Sequence, residues 1–458
     1  MNTPTTTPAA PTSRRQFIGT TAAASALTVA QSAWAAGSDK VKIGLIGSGG
    51  RGSGAADQAL STPNEGFVLH AVCDAFKQKA EGALSNLRNK HESRVQVDDR
   101  IYDGLDGYKK VIDSCDLVIL TTPPGFRPYH FEAAINANKH VFMEKPVAVD
   151  APGVRKVLEM AKVADEKNRK VVVGLQRRYQ NCYLDALKQV KEQGIIGDIV
   201  SGQVYWNGGG IWFRDKMPDQ SELMYQINNW YFFTWLCGDH INEQHIHNID
   251  VANWFLGGHP VSAQGMGGRM QRVEKKFGQI YDHHYVEFTY ENGVRINSQC
   301  RHQSGTKSEV REEFTGTKGK LYLDNSGKCY AVDHKGNPIW KYRAARGGDD
   351  KGGKGKKGAG AGDPNPYQVE HDTLQAAIRE DKPLNNAYYG AESTMTAVLG
   401  RMATYSGKEI TWDQALNSKV QHMPAIITPE SEPPVKPDAE GGYPIAIPGK
   451  DIPGAPVV

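Results

Sequence analysis

The chain has 458 residues, 39% of them hydrophobic, and its 54 lysines and arginines against 51 aspartates and glutamates give a formal charge of +3. That length points to two domains, and so small an imbalance excludes the electrostatic footprint of a nucleic-acid binder or of a protein held on an anionic membrane. Past the N-terminus no apolar run reaches the roughly 20 residues that a bilayer-spanning helix needs.

The N-terminal stretch SRRQFIGTTAAASALTVAQSAWAAG carries Arg14 and Arg15, then an Ala/Thr-rich apolar run, then Ala33-Trp34-Ala35. A charged n-region, an apolar h-region and an A-x-A site in that order read as a secretory signal, with residues 1–35 removed. The paired arginines followed by Gln16-Phe17-Ile18 resemble the signal of the twin-arginine route. The expectation is export to the periplasm through the twin-arginine translocation machinery; the alternative is a Thr/Pro/Ala leader that contains Arg-Arg by chance. The six cysteines are scattered without a CxxC pair. An even count in an exported protein suggests disulfides, but twin-arginine substrates fold before they cross, so free thiols are expected. Cys73 and Cys115 fall in apolar strands, where cysteine acts as a small hydrophobe.

Val41–Ile46 is a short apolar run rich in β-branched residues, the pattern of a strand buried on both faces. Gly47-Ser48-Gly49-Gly50-Arg51-Gly52 follows as G-x-G-x-x-G and opens an Ala-rich helix. The first glycine permits the tight turn, the second lets backbone approach a pyrophosphate, and the third lets the helix pack on the strand. The helix N-terminus then holds the anion. The next strand, FVLHAVCDAF, ends in Asp74, placed to accept from ribose hydroxyls and to repel a 2′-phosphate, which favours NAD. The nearby Lys77 and Lys79 leave NADP open, and the plainer role for Asp74 is to cap the turn after its strand. DLVILTTPPG brings Thr122, Pro123 and Pro124 to the carboxyl edge of the sheet, on the nicotinamide side, with His130 assigned to the same cofactor site. KHVFMEKPVAVD, a helix over 151–166 and KVVVGLQRRY continue the alternation. Strands this apolar alternating with helices make a doubly wound parallel sheet over residues 38–176.

Glu144-Lys145-Pro146 sits at the end of one of these strands. With the glycine motif, the TTPP loop, GLQRRY and HNIDVANWFLGG, it resembles the Gfo/Idh/MocA family of glucose–fructose oxidoreductases and inositol dehydrogenases, from about Lys40 to Ser418. The resemblance implies a Rossmann domain followed by an α+β domain, residues 177–419, with a large, mostly antiparallel open sheet. In that family such a sheet makes subunit contacts, so a homo-oligomer, dimer or tetramer, is expected. The resemblance places Lys145 beside substrate and nicotinamide, puts Glu144 in the cofactor site, and implies a cis Lys145–Pro146 bond.

The stretch GDHINEQHIHNIDVANWFLGG, residues 238–258, crowds titratable groups at one end. The family pattern of an acid, a histidine four residues on and an aspartate three further maps onto Glu243, His247 and Asp250; the usual first acid is Asp, so Glu243 departs by one methylene. As one continuous helix, His240, Glu243, His247 and Asp250 share an arc of about 80° and form a wall of the active site, while His245 points elsewhere, solvated or structural. Two rivals stand beside this. One is a structural helix with satisfied buried polar groups; the other is a zinc site at His240, Glu243 and His247. The second lacks an obvious further ligand, and no metal is assigned.

The expected chemistry is reversible oxidation of a secondary hydroxyl on a sugar. His247 is the base because its ordinary pKa lies near neutrality, Lys145 stabilises the developing alkoxide, and Glu243 or Asp250 orients the imidazole. The carbohydrate reading draws on Trp206, Trp212, Trp230, Tyr231 and Trp235, whose faces can stack on sugar C–H surfaces, and on Asn207, Asn228 and Asn229 for hydroxyls. Any one of these aromatics is as readily a core residue. Arg178 and Tyr179 border the cleft, and His240 and His247 complete the substrate side. HHYVEFTYENGVRINSQCRH and EEFTGTKGKLYLDN alternate with period 2 and read as hairpins. Residues 345–366 are Gly/Lys-rich and form a flexible insertion, helix returns over 367–405, and 420–458 is a Pro-rich arm expected to lie on a neighbour or to be disordered.

Export and a diffusible dinucleotide fit poorly together, because the periplasm holds no free pool. The cofactor, NAD with NADP open, is therefore expected to be tightly bound and recycled within the cycle. That leads to an exported NAD(P)-dependent oxidoreductase acting on a sugar or glycoside. The alternative is an NAD-dependent glycoside hydrolase or lyase that oxidises C3 transiently and eliminates. A non-catalytic sugar or nucleotide sensor on the same fold comes from another class, and the presence of both Lys145 and His247 argues against it.

Overall fold

A computed structural model of the chain describes residues 40–344 and 362–457. The expected signal peptide with its twin arginines, and residues 345–361 of the Gly/Lys-rich insertion, lie outside the described residues.

The first domain is built on β1 (Val41–Ile46), β2 (Phe67–Asp74), β3 (Ile101–Asp103), β4 (Leu117–Leu120), β5 (His140–Met143) and β6 (Val171–Val173), in the order 3-2-1-4-5-6. The ladders β2–β3, β1–β4, β4–β5 and β5–β6 are parallel. Apart from the edge strand β3, their apolar runs are buried on both faces between helices, as the continuous hydrophobic pattern requires. The order reverses between β1 and β4, which opens a crevice at their carboxyl ends. Gly47 starts that crevice at φ +93°, a left-handed conformation that favours glycine, and a Cβ on Gly52 would lie 1.9 Å from the Gly47 carbonyl oxygen.

The second sheet has nine strands, adding β7 (Ile199–Gly208), β8 (Ser262–Gly268), β9 (His283–Thr289), β10 (Arg295–His302), β11 (Glu309–Gly316), β12 (Gly319–Asp324), β13 (Tyr330–Asp333), β14 (Pro338–Lys341) and β15 (Ile410–Thr411), in the order 14-13-12-11-7-10-9-8-15. Its ladders are antiparallel except β7–β10, which is parallel. Burial alternates along β10 and β12, so one face packs under helices and the other stays open. Helix Ile246–Leu256 and the long helix Ala387–Ser406 cover the packed face. Helix Pro366–Arg379, which follows the insertion, packs instead on the first domain, where Gln375 Nε2 donates to the Ala59 carbonyl at 2.7 Å.

Two corrections to the sequence expectations concern segments that pack on this chain itself. Residues 420–457 run over their own chain: Gln226 Nε2 donates to Val435 O at 2.7 Å, and Tyr281 Oη to Ala446 O at 2.9 Å. Their anchor is Asp150, which caps helix Ala151–Glu166 through Gly153 N and accepts from His422 N at 2.7 Å. The second correction is the helix of residues 238–258. It breaks into a short turn, His240–Glu243, and a separate helix, Ile246–Leu256. The six cysteines are free and buried.

The domains meet at a 3₁₀ turn, Gln176–Tyr179, just after β6. Arg177 pairs there with Glu312 of β11, both buried; Glu312 also accepts from Tyr183 Oη at 2.8 Å and Asn248 Nδ2 at 2.6 Å. Removing one partner of such a pair strands the other charge, so Glu312→Ala should lower folding stability by about 3–5 kcal/mol. Denaturant unfolding of the purified protein checks this; a midpoint unchanged from wild type would mean the pair does not hold the seam.

Candidate active site

A cavity of about 840 Å³ lies along the crevice and under the second domain. The glycine loop forms one side. No atom lies within 4 Å of a Cβ built on Gly49 or Gly50, so backbone is free to meet a ligand there. Asp74 is fixed beside it, accepting from Ser48 N at 2.8 Å through one oxygen and from Phe76 N at 3.0 Å through the other. These bonds satisfy the turn-capping role and still leave lone pairs facing the cavity, where ribose hydroxyls would donate. Gly47, Gly52, Thr122, Pro123, Pro124 and His130 line the same wall. Thr122 Oγ1 lies 3.2 Å from His130 Nδ1, and burial, helped by Arg127, pushes the His130 pKa down to about 3, so that ring is neutral. A glycine cradle, an oriented carboxylate and a helix N-terminus together fit a dinucleotide.

The reactive end sits where β5 delivers Glu144 and Lys145. The Lys145–Pro146 bond is cis. Glu144 accepts from Arg51 Nε, and the Arg51 guanidinium lies 4.8 Å from the centre of the Tyr367 ring. Lys145 Nζ donates to the Glu243 backbone carbonyl and, at 3.1 Å, to Glu243 Oε1. Burial raises the Glu243 pKa, and the Lys145 charge opposes that rise. His247 reaches the cavity from the first turn of its helix and stacks on Trp206 of β7, ring centres 5.8 Å apart. Its Nδ1 is buried without a partner. Burial drives the His247 pKa well below the usual histidine range, and the charges of Lys145, Arg177 and Arg51 push the same way. The imidazole is therefore neutral through strong tuning, whereas the sequence expectation rested on its ordinary pKa near neutrality.

Four sequence-chosen residues lie elsewhere, and each has a physical reason. Asp250 does not orient His247; it takes the Arg178 fork, with Nη2 at 2.8 Å, and a bond from Ser393 Oγ at 2.8 Å. Arg178 is thereby turned away from the cavity, and its guanidinium lies over Tyr389 at 4.0 Å. Tyr179 donates to Asn386 Oδ1 at 2.6 Å, also outside. His240 is fully buried against Asp239, with His302 stacked at 4.7 Å. Glu243 does line the cavity, but its carboxylate serves Lys145 rather than His247. His245 is buried, its Nε2 2.7 Å from Ser298 Oγ, so of its two expected settings the structural one applies.

The zinc alternative of His240, Glu243 and His247 does not converge, because His240 faces a different set of partners. Asp239, His240 and His284 do come together. There the Asp239 carboxylate already accepts from His240 N, Tyr281 N and Tyr405 Oη, and so serves as a buried structural hub. Of the aromatics, Trp206, Trp212 and Trp230 line the cavity, whereas Trp235 is core and donates to Gln226 Oε1 at 2.8 Å. Asn229 spends its amide on the backbone of Arg214. Sequence reasoning missed Gln244, Arg214 and Tyr367 as cavity residues. Only Arg214 left a trace, as a lone cation inside the aromatic stretch GGGIWFR.

Two family models match the chain: an oxidoreductase family with an NAD-binding Rossmann fold over residues 41–175, and the GFO/IDH/MocA C-terminal domain over 184–322. An inositol 2-dehydrogenase of Salmonella typhimurium is 32% identical over 220 residues, 47% of this chain and 54% of the relative, so the chain spans about half of that protein's length. A glycosyl hydrolase family 109 protein of Streptomyces coelicolor is 29% identical over 165 residues, 35% of this chain and 33% of the relative. Among solved structures, levoglucosan dehydrogenase in complex with NADH and levoglucosan superposes with a TM-score of 0.64 at 16% identity, over 82% of this chain and 100% of that one. The aldose-aldose oxidoreductase of Caulobacter crescentus does so with a TM-score of 0.61 at 18% identity, over 81% and 99%. At those identities the superpositions establish the fold.

The His247 environment makes a direct prediction. Its ring resonances should stay in the neutral form well below the ordinary midpoint of about pH 6.5. Lys145→Met removes a neighbouring positive charge and should raise that midpoint, while burial keeps it below the ordinary value. NMR titration of the histidine ring reads both; a wild-type midpoint near 6.5 would contradict the geometry.

Proposed function

The chain belongs to the Gfo/Idh/MocA oxidoreductase family, and from that premise we propose that it is an exported, NAD(P)-dependent enzyme acting on a secondary hydroxyl of a sugar or glycoside, with a cofactor held through the cycle. The observation that carries this reading is the convergence of Lys145 and His247 in one cavity with the glycine loop and Asp74. When bound, the dinucleotide supplies a hydride acceptor at its nicotinamide. The protein's part is to place the substrate hydroxyl between the Lys145 ammonium and the His247 imidazole. The neutral imidazole accepts the hydroxyl proton, and the ammonium stabilises the alkoxide as it forms. Glu243 holds Lys145 in place through its carbonyl and its carboxylate. Trp206 stacks on His247 and offers a platform for the ring whose carbon is oxidised.

NAD is favoured over NADP by Asp74, and the carbohydrate class by the indole faces lining the cavity. Export by the twin-arginine route rests on the leader motif alone, and it makes a captive cofactor and a redox-neutral cycle the coherent choice. Two sugars exchanging a hydride through the retained cofactor satisfy it. So does a second reading, favoured by the partial match to a glycosyl hydrolase family 109 protein. In that reading C3 of a glycoside is oxidised, C2–H becomes acidic, and the aglycone leaves by elimination. Water then adds, and the hydride returns to C3, for net hydrolysis without change in the cofactor's redox state.

Protein purified from the periplasm and then denatured should release dinucleotide near one equivalent per chain. Incubation with paired sugars should yield one oxidised and one reduced product, whereas the glycosidase reading yields free sugar from a glycoside alone. Protein that emerges empty and binds added NAD only weakly would overturn the captive-cofactor reading. Lys145→Ala should abolish hydride transfer to the bound cofactor in single-turnover absorbance, with cofactor content unchanged. If cofactor content fell instead, Lys145 would be a binding residue.

A further inference from the structure

The rim of the cavity opposite His247 carries charges that the reaction does not use. Lys79 belongs to the first domain, just beyond Asp74 and β2, while Arg214 comes from the second, on the loop 209–221 between β7 and helix Glu222–Asn228. Both line the cavity with Asp74. Arg214 is held from behind. Its N–H donates to Asn229 Oδ1 at 3.0 Å and its carbonyl accepts from Asn229 Nδ2 at 2.9 Å, and Asn229 is fully buried. The guanidinium donates to Asn228 O at 3.0 Å and lies 4.1 Å from the centre of the Trp212 ring. The same loop sends Ile211 and Phe213 into an apolar cluster that also takes in Ala75, Phe76 and Leu105 of the first domain. The loop thus lines the same cavity as Asp74, with its apolar residues in a cluster that draws on both domains.

Across from it, Lys79 Nζ lies over the Phe76 ring at 4.3 Å. Burial lowers the Lys79 pKa and Arg214 adds to that, while Asp74 works against it. Neither cation forms an ion pair among the described residues. The Arg214 charge works against that of Lys79, the Asp74 carboxylate offsets part of this, and a bound anion would offset the rest.

We propose that the loop 209–221 is a latch on the bound dinucleotide, with Arg214 and Lys79 closing from opposite domains on its phosphorylated adenosine half. This rests on the dinucleotide reading above. A phosphate between the two cations turns their repulsion into charge-assisted hydrogen bonds, and the Asn229 clamp and the Trp212 face hold the guanidinium ready for it. A ligand threaded beneath the loop leaves only when the apolar cluster parts, so the latch acts on release.

The test loads wild-type protein and Arg214→Ala with NADH, removes the free cofactor, and follows loss of nicotinamide fluorescence after a chase with excess NAD. Loss of one charge-assisted contact should speed release about tenfold. Added salt should accelerate release from the wild type more than from the variant, a difference that a merely structural loop defect would not produce. Arg214→Lys should recover part of the retention. The same comparison with NADP tells the phosphates apart: a loss shared by NAD and NADP assigns Arg214 to the diphosphate, and a larger loss with NADP assigns it to the 2′-phosphate. Equal release rates for wild type and Arg214→Ala overturn the latch while leaving the dinucleotide reading standing. A wild type that binds neither nucleotide overturns both.

Discussion

Everything at the reactive end depends on two adjacent arginines finding two buried carboxylates. Arg177 holds Glu312 of the large sheet, and Arg178 holds Asp250 of helix Ile246–Leu256. These charges leave water together, and each carboxylate is completed by neutral donors: Tyr183 and Asn248 on Glu312, Ser393 on Asp250. A buried pair of this kind gives little net stability against an apolar substitute, but its geometry tolerates no alternative register. The 3₁₀ turn that ends the dinucleotide domain is thereby pinned to the sheet and to the helix that carries His247.

The same helix shows how a run of polar residues divides into anchors and one working group. Asn253 donates to Thr396 Oγ1 at 2.9 Å and accepts from Tyr290 Oη at 2.7 Å, while His245 just before the helix meets Ser298. Asn248 and Asp250 are bound as described. His247 alone of these has an edge on the cavity, and its Nδ1 is left without a partner. Its neutrality comes from burial and from the charges of Lys145, Arg177 and Arg51 around it, and burial also raises the pKa of Glu243, a rise that the Lys145 charge opposes. The extra methylene of Glu243 relative to the family's Asp has a use here. The side chain folds back so that its carbonyl and its carboxylate both meet Lys145.

Much of this was legible in the chain, and the misses share one cause. Continuous apolar strands, the glycine loop and the acid at the end of β2 are local patterns with local physics, and the parallel sheet follows from them. The wall of four titratable residues assumed one continuous helix, because nothing between Asp239 and Asp250 is a glycine or proline. The break is tertiary. The break falls at Gln244–His245, where His245 meets Ser298 of β10; ahead of both segments Asp239, at φ +74°, accepts from His240 N, Tyr281 N and Tyr405 Oη, and His240 lies in the core. Asp250 is placed in the cleft by the family pattern and Arg178 by its position in GLQRRY, but their partners are each other, from segments 72 residues apart. Long-range pairing of this kind leaves no periodicity to read.

The C-terminal arm extends the argument from geometry to motion. Met423 joins the apolar cluster of Phe126, Trp235 and Leu236, and Tyr129 donates to its carbonyl, so the arm binds the loop that carries Pro123 and Pro124. Further on, Tyr443 packs edge-on against Phe233 and donates to Glu222 at 2.6 Å, at the base of the aromatic wall. The arm thus ties a cofactor-side loop to the helix that follows loop 209–221. Parting the domains at that edge means exposing the shared cluster to water, at about 25 cal/mol for each Å² of apolar surface. An enzyme that draws a fresh cofactor for every turnover would pay that cost each time, whereas one that keeps its cofactor meets it once, on assembly.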